Sequence, residues 1–207
     1  MKIAILIAHA EVEPFESIRS EIHPLIYEKA KDYGLDIFYG VGRNKSTFFR
    51  IKFNKYMERL RHSRFYLISR LYDFLILNLN RFFAVKYSVT GNIIRVNVPE
   101  DLRHLGQKIL ISFEYLLDQG YEWIYRTTTS SVVNIPLLVQ EINEFKVAEN
   151  SIVAGTVAHR AKSHDFVVGS NLLLNKSALV WIIKNKNKWD HSLMDDVALG
   201  RIFRGAI

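Results

Sequence analysis

From its second residue the chain alternates short apolar runs with longer stretches of helical period, and that alternation narrows the fold more than anything else in it. KIAILIAHA (2–10) reads as a buried strand. Residues 14–33 carry Ile18, Ile22, Leu25, Ile26, Lys29 and Tyr33 at amphipathic-helix spacing and close at Gly34. LDIFYGVG (35–42) is a second strand ending in glycines. After a basic segment comes a short strand around AVKYSVTG, and NIIRVNVP is another strand or the approach to the next helix. DLRHLGQKILISFEYLLDQGY then reads as a helix, with Asp101 as its N-cap and Gly120 past its end. EWIYR is a strand, and a helix starts near Asn134 with Pro136 in its first turn. NSIVAGTVAH reads as a further strand, FVVGSNLLLN as a short strand or loop, KSALVWIIKN as a helix, and DDVALGRIF as the opening of a last helix. This order predicts an α/β sandwich with a mostly parallel central sheet flanked by helices.

The 207 residues fit a single domain, 1–207, with no repeat or linker to divide it. The stop at Ile207, soon after a new helix begins, suggests a chain trimmed from a longer protein. An apolar fraction of 49% excludes intrinsic disorder, and the lack of cysteine excludes disulfides and thiolate metal sites. The first apolar run meets Glu11 and Glu13 too soon for a signal peptide. No run reaches the ~18 apolar residues that cross a bilayer. A cytoplasmic location is expected, or one peripheral on a membrane.

In open α/β sheets ligands sit beyond the carboxyl ends of the strands. Three polar clusters fall at or just after such ends: HAEVEPFE after the first strand, RTTTSS after the middle strand, and GSN within VVGSN. A fourth, DDV, opens the last helix. Their order resembles that of GT-A-fold nucleotide-sugar glycosyltransferases, in particular the fringe and β1,3-galactosyltransferase group. In that group a Lys-bearing helix leads to a strand ending in a Lys-Thr-Asp-Asp-Asp segment, apolar residues and Asn. Here the layout is Lys108, then Arg126-Thr127-Thr128-Thr129-Ser130, then Val132-Val133-Asn134. The group's Gly-rich acceptor-side segment is similar to VVGSNLLLNKSA. Its Glu/Asp-Asp-Val/Cys-x-x-Gly segment is matched by Asp195-Asp196-Val197-Ala198-Leu199-Gly200. The match runs in order over roughly residues 92–203. Arg-Thr-x-x-Ser-Ser with its following Asn is also similar to a branch of the group found in large algal viruses and bacterial surface-polysaccharide clusters.

The resemblance implies transfer of a hexosyl or deoxyhexosyl unit from a nucleotide-diphosphate sugar to a glycan hydroxyl, with inversion, in cell-surface or capsid glycan synthesis. The acceptor would be lipid-linked or carried on a protein. Asp196 is implied as the base that takes the acceptor proton, with Asp195 beside it to orient the acceptor or raise its partner's pKa. Gly169, Ser170 and Asn171 are implied on the acceptor side. His9, Glu11, Glu13, Lys108, Arg126, Thr128, Thr129, Ser130, Ser131, His159 and Arg160 are candidates for the donor side. One departure is large: the group's acidic triplet holds a divalent cation, and Thr128-Thr129-Ser130 offers no ionised oxygen. Metal-independent donor binding is therefore expected, with the diphosphate charge met by Arg126, Lys108, His159, Arg160 or Lys162 and by the helix start near Asn134. Binding of Mn²⁺ or Mg²⁺ stays open as an alternative, as does a catalytically inactive glycan- or nucleotide-binding module.

Plainer readings stand beside each assignment. Two acids in the first turn of a helix favour its dipole without any catalysis. Lys108 on a helix can be an ordinary solvent-facing charge, and His9, Glu11 and Glu13 a solvated loop. HRAKSHD (159–165) has the residue types of a metal site, but its spacing matches no common ligand motif, and a basic loop over the diphosphate is preferred. Trp123, Trp181 and Trp189 are expected in the core, Trp189 least firmly.

The charge is concentrated in one place. Between Arg43 and Lys86 eleven Lys/Arg face two acids, whereas the remainder of the chain carries 17 basic and 19 acidic residues. Within this insertion, apolar residues at 49, 53, 56, 57 and 60 interleave with Arg50, Lys52, Lys55, Arg59 and Arg61. The pattern fits a solvated helical insertion or a basic amphipathic helix on an anionic membrane surface. Nucleic acid ranks below both, because no recognised nucleic-acid motif is present.

Overall fold

A computed structural model of the chain describes residues 1–43, 67, 71, 87–101, 104–146, 150–159, 165–191 and 193–203. Nearly all of the basic insertion lies outside these residues, and so do its membrane and nucleic-acid readings, Arg160 and Lys162.

The described chain builds a three-layer α/β sandwich. Strands β1 (Ile3–Ala8), β2 (Leu35–Arg43), β3 (Tyr87–Thr90), β4 (Ile93–Pro99), β5 (Trp123–Thr128), β6 (Val153–Ala154) and β9 (Asn171–Asn175) form one sheet. Its order is β3-β4-β2-β1-β5-β9-β6. The central four, β4, β2, β1 and β5, run parallel. β3, β9 and β6 pair antiparallel with their neighbours, so the sheet is mixed at its margins. A separate antiparallel pair joins β7 (Val157–His159) to β8 (Asp165–Val167).

Helices cover both faces. Helix α2 (Leu105–Asp118), α4 (Lys176–Lys184) and α5 (Asp195–Phe203) pack over Ala4, Leu6, Ile94, Val96 and Ile124. Helices α1 (Phe15–Asp32) and α3 (Ile135–Phe145) cover Ile3, Ile5, Ile7, Ile37, Tyr39 and Trp123. β1 reads IAILIA without alternation because it is central and buried on both sides. Each of Ile5, Leu6 and Ile7, fully buried, contributes about 1.5–3 kcal/mol of hydrophobic stabilisation.

Three local expectations need correction. Helix α1 buries His23, Ile26 and Ala30, while Ile22, Leu25 and Tyr33 face outward. A polar histidine takes the central core position because the tip of β5 offers it a hydrogen-bonding partner, and this turns the helix away from its most apolar stripe. Helix α2 begins at Leu105, not after Asp101. The Asp101 carboxylate instead accepts from His104 N at 2.9 Å and His104 Nδ1 at 2.7 Å, capping the turn that precedes the helix. Trp123 and Trp189 are core residues, but Trp181 is 39% exposed on α4. The helix start at Asn134 is as expected: its side chain accepts from Leu137 N at 3.2 Å, with Pro136 in the first turn.

Candidate functional site

The chain winds outward from β1 through β2 to β4, then returns on the other side of β1 as β5. The order of strands therefore reverses between β1 and β5, and the crevice beyond their carboxyl ends is where an open α/β sheet takes a ligand. A cleft of about 430 Å³ opens there, lined by Ala8, His9, Glu100, Lys108, Arg126, Thr128, Thr129 and Ser130, among others.

Strand register sets the walls. β1 and β5 pair Leu6 with Arg126, Ile7 with Thr127 and Ala8 with Thr128. One step further this alignment brings His9 beside Thr129, and His9 Nδ1 lies 3.0 Å from Thr129 Oγ1. Side chains alternate across a strand, so Arg126 turns to the α2/α5 side of the sheet and Thr127 and Thr129 to the α1/α3 side.

On the first side, Arg126 is almost fully buried and pairs with Asp195 at 2.7 Å. Burial pushes the Asp195 carboxyl above its ordinary range, against the pull of Arg126. Gly169 abuts this pair, and a Cβ there would displace the Arg126 guanidinium. Gly169 N donates to Asp196 Oδ2 at 3.3 Å, and Val197 N donates to Asp196 Oδ1 at 2.8 Å. Asp196 is half-buried, and neither it nor Asp195 lines the cleft. Arg126 Nε has no partner among the described residues.

Lys108 is not a solvent-facing charge. Its Nζ donates to His9 O at 2.9 Å and to Glu100 Oε1 at 2.5 Å, and burial lowers its pKa. Glu100 Oε2 in turn accepts from Gly42 N at 2.5 Å. Lys108 thus ties together the ends of β1, β2 and β4.

On the other side, the hydroxyl run is divided. Thr127 Oγ1 donates to Ser170 O at 2.8 Å, and Thr128 Oγ1 lies 2.8 Å from Ser131 Oγ and 3.4 Å from Ser130 Oγ. Thr129 is gripped twice, by His9 at its side chain and by His23 Nε2, which donates to Thr129 O at 3.2 Å. The remaining candidates stand further out. Glu11 forms a bidentate pair with Arg95 at 2.5 and 2.6 Å, which holds its carboxyl below the usual range. Glu13 accepts from Ser17 on the surface. Asn171 bonds Thr156 through both amide atoms and so shapes the bend between β6 and β7. His159 is exposed on the β7–β8 pair and bonds Asp165 at 2.6 Å.

Two of the four polar clusters, those after β1 and β5, therefore line the cleft, and the other two join them through Arg126, which pairs with Asp195 and abuts Gly169. Sequence reading missed Glu16, His23, Tyr39 and Glu100, which hold the nominated residues in place. The parallel alignment of β1 and β5 was the one available signal, since it makes His9 and Thr129 neighbours.

Where the resemblance implies a cation-binding triplet, Thr128, Thr129 and Ser130 bond to other hydroxyls or to His9. The carboxylates of Glu100, Asp195 and Asp196 are engaged by Lys108, Arg126 and backbone amides. Among the described residues no group of three or more His, Asp or Glu side chains gathers where it could hold a metal ion. The hydroxyl triplet itself offers a divalent cation no ionised oxygen. Comparison with family models and with curated proteins finds no match for the chain.

Proposed function

We propose that the chain is a nucleotide-sugar-dependent glycosyltransferase of GT-A type, acting on a glycan hydroxyl with inversion. The observation that carries this reading is that the clusters after β1 and β5 line one cleft at the strand-order reversal, while Asp195 and Gly169 of the other two clusters meet Arg126 in its wall. The diphosphate of the donor would lie over Thr128, Thr129 and Ser130, within reach of Arg126 Nε and Lys108. Asp196, held by Gly169 N and Val197 N, would take the proton from the acceptor hydroxyl as that oxygen attacks the anomeric carbon. The anomeric carbon–oxygen bond to the diphosphate breaks as the new glycosidic bond forms. The departing charge would be met by hydrogen-bond donors at the β5 tip.

A second reading is favoured by one feature of the same cleft: both of its buried cations, Lys108 and Arg126, are already neutralised by carboxylates. A non-catalytic nucleotide- or glycan-binding module would tolerate that arrangement, whereas a transferase needs charge to stabilise its leaving group. Asp196→Asn decides between them. Incubation with a panel of radiolabelled nucleotide sugars and glycan acceptors should show transfer by the wild type. The variant should lose on the order of 10²- to 10⁴-fold of that rate while retaining nucleotide binding. Absence of transfer by either protein, with nucleotide binding intact, would favour the binding module.

A further inference from the structure

With Lys108 and Arg126 each matched by a carboxylate, the cleft wall has, among the described residues, one remaining side chain whose charge can change near neutral pH. His9 is 1% exposed, and both it and Thr129 line the cleft. Its Nε2 lies 3.1 Å from Glu16 Oε1, and its Nδ1 lies 3.0 Å from Thr129 Oγ1. A carboxylate only accepts, so Nε2 carries a hydrogen in both charge states. In the neutral imidazole Nδ1 is then an acceptor, and the Thr129 hydroxyl must donate to it. The hydroxyl oxygen presents only lone pairs, which repel an anion. In the imidazolium Nδ1 becomes a donor to Thr129 Oγ1. The Thr129 hydrogen is released, either to Ala8 O at 3.2 Å or to a ligand.

We propose that this cleft is a proton-linked anion site: a phosphate-class group binds together with one proton from solvent, taken up by the Glu16–His9–Thr129 relay. The identity of the anion as a nucleotide's diphosphate rests on the donor-site reading above; the relay itself does not. The surroundings of His9 are set against the proton until a ligand arrives. Burial lowers its pKa, and Arg19 on α1 and Lys108 on α2 add to this. Glu16 opposes them, and Glu11 lies near enough for its own carboxyl to feel His9. Tyr39 on β2 packs edge-on against the ring at 5.5 Å, and His23 on α1 stacks on that same tyrosine. A bound anion adds negative charge to this balance and accepts the hydrogen that Thr129 gives up. By linkage, anion binding raises the pKa of His9, and acid strengthens anion binding.

In this arrangement Glu16 is a positioning residue: it touches no ligand, but it fixes the tautomer and orientation of His9. The test is calorimetry of inorganic pyrophosphate and of nucleoside diphosphates between about pH 5.5 and 8, the range in which an imidazole titrates. Wild type, His9→Gln and Glu16→Gln are compared. Buffers of different ionisation enthalpy count the protons taken up, and dividing by the His9→Gln affinity removes the ligand's own titration. Wild-type affinity should rise relative to His9→Gln as pH falls, by up to about tenfold per pH unit, the limit for one proton. Glu16→Gln, which removes the carboxylate that favours the imidazolium, should shift that rise to lower pH. Equal pH dependence in wild type and both variants would overturn the relay and leave the donor site standing. Linked binding of pyrophosphate with no preference for any nucleoside diphosphate would keep the relay and sink the donor reading. No binding of either ligand at any pH would overturn both.

Discussion

Arg126 and Asp195 meet at 2.7 Å with both side chains nearly excluded from water. A pair of this kind contributes little net stability, because desolvation offsets the attraction, but breaking it leaves a charge buried without a partner. Asp195→Asn is accordingly expected to cost about 3–5 kcal/mol, read as a fall in the urea midpoint. The double replacement Arg126→Met with Asp195→Leu should recover most of that loss. A wild-type midpoint for Asp195→Asn would instead mean that burial has already neutralised the carboxyl. Both residues could be nominated from sequence, but their pairing could not. Motif order nominates the clusters; it does not say that a cation meant for a ligand will be satisfied by the acid beside it. Glu100 illustrates the same limit. It follows β4 with no motif around it, and only the folded geometry brings its two oxygens to Lys108 and Gly42 N.

Asparagine caps start two of the helices flanking the sheet, and they differ in how much they hold. Asn134 accepts one bond, from Leu137 N at the exposed start of α3. Asn175 accepts from Ala178 N and Ile152 N at 3.0 Å each and donates to Asn150 O at 2.8 Å, so it fastens α4 to the entry of β6 as well. Asn134→Ala should therefore cost about 1 kcal/mol, the usual loss of an N-cap. Asn175→Ala should cost more, because it also removes two part-buried hydrogen bonds to the segment before β6, each contributing about 0.5–1.5 kcal/mol. Denaturant titration of the two variants checks the order, and equal costs would refute the bridging role. The elements around these caps follow from sequence because period and cap residues are local signals. Which face of α1 is buried did not follow. Apolar count favours Ile22 and Leu25, but the seat is decided by His23, whose Nδ1 accepts from Tyr39 OH at 2.6 Å while its Nε2 donates to Thr129 O. The antiparallel margins of the sheet escaped for a related reason: strand direction is set by crossover paths, to which apolar runs are blind.

His9 and His23 together make the fold's response to acid a property of the whole molecule. Both are 1% exposed, and burial is the leading cause that lowers each below its ordinary value of 6.5. In the unfolded chain both titrate near that ordinary value. As the pH falls below about 6.5 the unfolded state therefore takes up protons that the folded state refuses. The stability these residues contribute is fully present above the unfolded pKa and is lost as the pH falls through the folded one. The slope is at most about 1.4 kcal/mol per pH unit for each histidine. Urea unfolding from pH 7.5 downward should show this decline, and His9→Gln and His23→Gln should each flatten it. Ligand separates the two residues. His9 lines the cleft and His23 does not, so saturating pyrophosphate should offset the part of the decline due to His9 and leave that of His23. Pyrophosphate protection that persists unchanged in His9→Gln would place the proton uptake elsewhere. A stability that rises on acidification would mean that neither imidazole is held neutral in the fold.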